Sequence, residues 1–172
     1  MVAKRKRYAR VVMALEMKSH EDTLDPDPYF TKADLVGVVS HDNDPVVIFV
    51  VMVGRKVHRA LIDQGSLTDV LFWSTFVNLR LSPDHLRPHD GCLIRFAGDH
   101  VECQGYINLR ITFSDEETAM TIVIRYVVVN TPSAYNLLLG RSSLNRLRAV
   151  ASTKHMKMKL SPLEAKCSSL RG

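Results

Sequence analysis

The stretch Ala60-Leu61-Ile62-Asp63-Gln64-Gly65-Ser66 carries an apolar strand directly into an acid and a glycine. A carboxylate at the end of a buried strand, followed by a glycine that permits a tight loop, can be held rigidly with water reaching it from one side. Read alone, Asp-x-Gly-Ser also fits an acidic residue opening an ordinary turn. The elements around it therefore decide its reading.

Upstream, Val46 to Val53 is an apolar, β-branched run, and with a turn at Gly54-Arg55-Lys56 and a return over Val57 to Ile62 it predicts a hairpin. Downstream, Leu71, Phe72, Thr75, Phe76 and Leu79 have helical spacing, so a helix is expected over 71–79. Ser82-Pro83 and Arg87-Pro88 then punctuate a loop. A second hairpin is expected from Leu93 to Phe96 and Val101 to Phe113, flanking Ala97-Gly98-Asp99-His100. On its returning arm Ile107, Leu109, Ile111 and Phe113 share one face, while Asn108, Arg110 and Thr112 share the other. Met120 to Val129 is almost continuously apolar and reads as a central strand covered on both faces. Leu137-Leu138-Leu139 is a short buried strand ending at Gly140, with helical turns expected over Ser143 to Arg148. Met156, Met158 and Leu160 alternate with His155, Lys157 and Lys159, as in a half-exposed strand. The fold class is mainly β with two short helices.

Composition narrows the function classes. The 172 residues suffice for one domain with a core, and 46% hydrophobic with 24% charged residues is the balance of a folded chain. The net charge of +5 is local: Lys4, Arg5, Lys6, Arg7 and Arg10 supply five of 23 basic residues, and the other 18 balance 18 acids. Residues 1–40 read as a basic, largely flexible linker with a short helix over 11–18, residues 41–160 as the domain, and 161–172 as a tail. Nucleic acid is a partner only through the basic N-terminal cluster. Three cysteines without a CxxC pair argue for a reducing, intracellular setting, cytoplasmic or particle-associated. The longest apolar run, 46–53, is far short of the ~20 residues that span a bilayer, and no secretory signal follows the basic start.

No metal or cofactor is expected. His85 and His89 have a zinc pair's i, i+4 spacing, but Pro88 lies between them and no HExxH glutamate is present. GxSxG, GxxxxGK[ST] and GxGxxG are all absent.

The order acid loop, helix, glycine-tipped hairpin, apolar strand, Gly-Arg and helix is that of the retropepsin-like aspartic proteases. His41-Asp42-Asn43-Asp44-Pro45-Val46-Val47-Ile48, Leu61 to Leu71, Leu81-Ser82-Pro83-Asp84, Phe96-Ala97-Gly98 and Pro132-Ser133-Ala134-Tyr135-Asn136-Leu137-Leu138-Leu139-Gly140-Arg141 resemble the protease segment of plant gypsy-type retrotransposon Gag-Pol polyproteins. The resemblance covers about residues 30 to 160. It implies a small closed β-barrel and an aspartic endopeptidase acting on a polypeptide, the Gag-Pol polyprotein, as a homodimer in which each copy supplies one aspartate.

By that resemblance Asp63, which heads the only Asp-x-Gly of the chain, is the catalytic residue. Gly65 lets the loop approach the partner copy, and Ser66 hydrogen-bonds the outer carboxylate oxygen or serves as a simple turn hydroxyl. Ala97, Gly98, Asp99 and His100 form the flap over the substrate, with Gly105 on its returning arm. Leu138 and Leu139 pack behind the acid loops, and Gly140 allows close passage. Arg141 pairs with an acid, Asp69 being the nearest candidate, or lies exposed at a helix start. Gln64 departs from the family, whose usual Ser or Thr there bonds the opposite loop and locks the dyad. The alternative function is accordingly an inactive remnant serving as a dimerisation or peptide-binding module.

Overall fold

The computed structural model describes residues 29–38, 44–89, 93–94, 100–101, 103–114 and 119–160. Its strands are β1 (Val47–Met52), β2 (Arg55–Ile62), β3 (Val70–Phe72), β4 (Leu93–Ile94), β5 (His100–Val101), β6 (Cys103–Ser114), β7 (Ala119–Val129), β8 (Leu137–Leu139), β9 (Ala149–Ser152) and β10 (Lys157–Leu160). Two short helices, α1 (Trp73–Asn78) and α2 (Arg141–Arg146), complete the frame with 3-10 turns at Lys32–Leu35 and Pro83–His85. Six strands close into a barrel in the order β1-β2-β8-β3-β7-β6. The mainly β reading with two short helices therefore holds.

The first hairpin forms where its sequence places it, but its turn is tighter. Val53 and Gly54 both have positive φ (50° and 68°) and alone connect Met52 to Arg55, the two-residue geometry that matches strand twist. A bulge follows in β2: the pairing jumps from Val50–Val57 to Ile48–Ala60, and Arg59 takes φ 62°. The carbonyls freed there accept from Asn136, His58 O from its side-chain amide (2.6 Å) and Arg59 O from its backbone N–H (3.1 Å). The bulge bends β2 so that Ala60–Ile62 run parallel to Leu137–Leu139. Asp63 is thereby delivered to the C-terminal end of β8.

On β6 the alternation is as read, with Ile107, Leu109, Ile111 and Phe113 buried and Asn108 and Arg110 exposed. Three expectations are corrected. The helix expected over 71–79 begins at Trp73, because Val70–Phe72 pair with both β7 and β8 and the backbone bonds of the barrel override the helical spacing. β7 is covered on both faces only over its C-terminal half, where β3 lies beside it; farther out Val123 is exposed. The second helix starts at Arg141 rather than at 143, immediately after Gly140.

The last hairpin, β9–β10, holds the fourth correction. Lys159 is not half-exposed but buried: its Nζ donates to Asp34 Oδ2 (3.1 Å) and to Tyr29 O (3.1 Å). Residues 29–38 are thus held against the β9–β10 hairpin, with Val38 against the core and Phe30 stacked on His155. The expected helix over 11–18, the basic cluster and the 161–172 tail lie outside the described residues. No helix among the described residues is long and apolar enough to cross a membrane.

The Thr31 amide, with Lys159 beside it, holds the Asp34 carboxyl down to about 2 against the opposing effect of burial. A depressed carboxylate contributes stability that is complete above its ordinary value of 3.8 and is lost as the pH falls through about 2. Asp34→Asn is expected to cost about 2 kcal/mol at neutral pH, the scale of a hydrogen bond to a charged group. Urea unfolding of both proteins should show that gap narrowing over the same acid interval. A gap independent of pH would mean that ionised Asp34 does not hold the segment.

Candidate active site

Three backbone contacts fix the loop from Asp63 to Asp69, two at the end of β8 and one to β7. Asp63 N donates to Leu139 O (3.0 Å), Arg141 N donates to Ser66 O (2.8 Å), and Val127 N donates to Asp69 O (2.9 Å). Gly140 lies under the loop: a Cβ there would stand 2.7 Å from Thr68 O and 3.0 Å from Ser66 O. Only hydrogen allows the strand to pass this close. A side chain at Gly140 would therefore collide with the backbone of the acid loop.

Asp63 is half-buried, and its Oδ1 accepts from Gly65 N–H at 2.9 Å. Gln64 and Gly65 are exposed beside it, as is Leu67. Of the two readings of Ser66, the hydrogen bonds match the turn hydroxyl and not the bond to the carboxylate. Its hydroxyl donates to Thr68 O (2.9 Å) and accepts from Thr68 N (3.3 Å), closing a turn within the loop. Gln64 extends to β9, where its Nε2 donates to Ala151 O at 3.5 Å.

Behind the loop, Leu139 is wholly buried in the main core, whereas Leu138 faces outward onto a smaller cluster of Val70, Val127 and Val129. The Arg141 side chain is exposed and does not pair with Asp69. The oxygens of Asp69 are taken by Gly140 N–H (Oδ1, 2.8 Å) and the Ser143 hydroxyl (Oδ2, 2.7 Å). Both Asp69 and Ser143 are buried. Burial pushes the Asp69 carboxyl up, while Ser143, the Gly140 amide and the charge of Arg146 act the other way. Tyr126 is also fully buried; burial and the nearby Asp69 charge hold its phenol well above the ordinary range. Its hydroxyl has no hydrogen-bond partner among the described residues.

Sequence reasoning missed Ser143. Of the neighbouring polar residues 141–143, the one that turns inward is set by the phase of α2, which the local pattern does not encode. Of the flap residues, Ala97, Gly98 and Asp99 lie outside the described residues, and His100 is placed only by the pairing of its backbone with Ile94. Gly105 has φ 133°, and a Cβ on it would lie 2.6 Å from Arg87 O, where β6 pairs with the loop at Arg87. His85 and His89 are exposed, and no group of three metal-ligating side chains occurs among the described residues.

Among solved structures, the retroviral protease-like domain of Ddi1 from Leishmania major superposes with a TM-score of 0.54 at 16% identity, covering 73% of this chain and 92% of that one. The fold is that of a retropepsin-like protease domain. EIAV protease in complex with the inhibitor HBY-793 matches with a TM-score of 0.48, 21% identity and coverage of 67% and 99%. A retropepsin-like aspartic protease from Rickettsia conorii matches with a TM-score of 0.44, 16% identity and coverage of 62% and 75%. Neither a family model nor a curated protein matches the chain. In retropepsin-like terms the barrel seats a single aspartate loop against a strand ending in Gly-Arg, and one chain holds one such loop.

Proposed function

We propose that the chain is an aspartic endopeptidase that works as a homodimer, with Asp63 of each copy facing the other across a dyad. The observation that carries this reading is half-buried Asp63 at the end of a retropepsin-like barrel strand, its carboxylate accepting from Gly65 N–H and its backbone N–H donating to Leu139 O. Two carboxylates brought within a few ångströms share one proton and titrate as a pair. The ionised member takes a proton from a bound water as that water attacks the peptide carbonyl, and the protonated member donates to the developing oxyanion. The substrate is an extended polypeptide, over which the family resemblance would place residues 97–100 as a flap. Its sequence resemblance makes the Gag-Pol polyprotein of a plant gypsy-type retrotransposon the natural substrate.

A second reading is a homodimer that binds peptides without cleaving them. Gln64 favours it, because it stands where the family's usual Ser or Thr locks the two loops of the dyad, and its amide donates to Ala151 O of its own chain. Cleavage of an unstructured peptide library, with and without pepstatin, separates the two. Under the proposal the rate per chain rises with protein concentration and levels off as dimers saturate. A rate strictly proportional to concentration, from a chain that sediments as a monomer, would overturn the dimer. Pepstatin binding without cleavage would identify the binding module.

A further inference from the structure

We infer that Asp69 is a positioning residue for Asp63, clamping the far end of the acid loop to the β8–α2 junction; this rests on the catalytic reading of Asp63. The loop leaves β2 at Asp63 and enters β3 after Asp69, with β8 lying between those two strands. Backbone bonds tie its start to Leu139 and its middle to Arg141. At its far end the tie is a side chain: Asp69 grips the Gly140 amide with one oxygen and the Ser143 hydroxyl with the other.

The clamp is buried, so water cannot take over its bonds. Gly140 N–H and Ser143 Oγ would both lose their acceptor if Asp69 were truncated. The groups facing Asp69 are Ser143 and Arg146 from α2, the Gly140 amide from the junction and Tyr126 from β7. The Tyr126 hydroxyl has no hydrogen-bond partner among the described residues, so it takes no part in the clamp. Gly140 is at once the residue held by Asp69 and the one beneath Thr68 O and Ser66 O. Releasing its amide therefore loosens the surface on which the acid loop rests. Asparagine can keep both contacts, accepting from Gly140 N–H with its carbonyl and donating to Ser143 Oγ with its amide. Alanine can keep neither.

The test compares Asp69→Ala, Asp69→Asn and Ser143→Ala for kcat, KM and amide exchange. Asp69→Ala is expected to lower kcat by about tenfold or more while KM stays within about twofold, the pattern of a misplaced reacting group. Amide exchange at Gly65, Ser66 and Gly140 should accelerate with it. Asp69→Asn should recover to within about threefold of wild type, and Ser143→Ala should fall between the two. Wild-type kcat in Asp69→Ala, a loss confined to KM, or no rescue by asparagine would overturn the inference. Should Asp69→Ala not fold, wild-type kcat and exchange in Ser143→Ala would do the same. Where the wild type itself shows no Asp63-dependent cleavage, the catalytic reading fails, and with it the kinetic arm. Unchanged exchange at Gly65 and Ser66 would then reject the clamp independently.

Discussion

Asp63→Asn is expected to lose cleavage by a factor on the order of 10⁴, with thermal stability close to wild type. Asparagine has the shape of aspartate and can still accept the 2.9 Å bond from Gly65 N–H, so the loop retains its local geometry. What it cannot do is ionise, and an amide pair has neither a base for the water nor a shareable proton. Mixing the variant with wild type adds a second readout. With random exchange of copies, an equal mixture leaves about a quarter of the chains' wild-type activity, because only dimers carrying two aspartates cleave. A mixture that retains half would mean that each chain is sufficient alone. Equal cleavage by wild type and variant would exclude Asp63 as the acid that does the chemistry.

What could be read from the sequence was what depends on neighbours in the chain. The first hairpin, the alternation of β6 and the apolar run into Gly140 are each encoded in one short contiguous stretch, and each holds in the fold. So does the placement of Asp63 at the end of a buried strand. The remainder depends on partners far away in sequence. Leu71 and Phe72 fit a helix by spacing, yet the open edges of β7 and β8 draw Val70–Phe72 into the sheet. Lys159 alternates like an exposed residue, and only a carboxylate 125 positions earlier explains why it is buried. For Asp69 the sequence offers Arg141 as a nearby cation, with an exposed Arg141 as the alternative; Arg141 is exposed, and the fold gives Asp69 an amide and a hydroxyl that turn inward as α2 begins. Short polar residues reveal little of their partners, because the same side chain can close a local turn, as Ser66 does, or tie distant elements, as Ser143 does.

Gly140→Ala is expected to destabilise the chain by about 3 kcal/mol, at the upper end for overpacking, and to depress turnover beyond the loss of folded protein. The backbone at Gly140 is ordinary, φ −89° and ψ 178°, so alanine meets no conformational barrier there. The cost is space alone: the new methyl would lie 2.7 Å from Thr68 O and 3.0 Å from Ser66 O and Thr68 C. These are main-chain atoms and cannot swing aside as a side chain could. The loop must lift, which stretches the 2.8 Å bond from Arg141 N to Ser66 O and draws Asp69 away from the Gly140 amide. Gly65→Ala is the matched control, since its methyl would meet only the Asp63 Oδ1 side-chain atom at 3.1 Å. It should disturb the carboxylate while leaving unfolding by urea nearly unchanged. Gly140→Ala should instead shift the urea midpoint and lower kcat in conditions where the variant is fully folded. If the two alanines gave equal stability losses, the loop would not be crossing β8 at Gly140, and the rigidity of Asp63 would need another source.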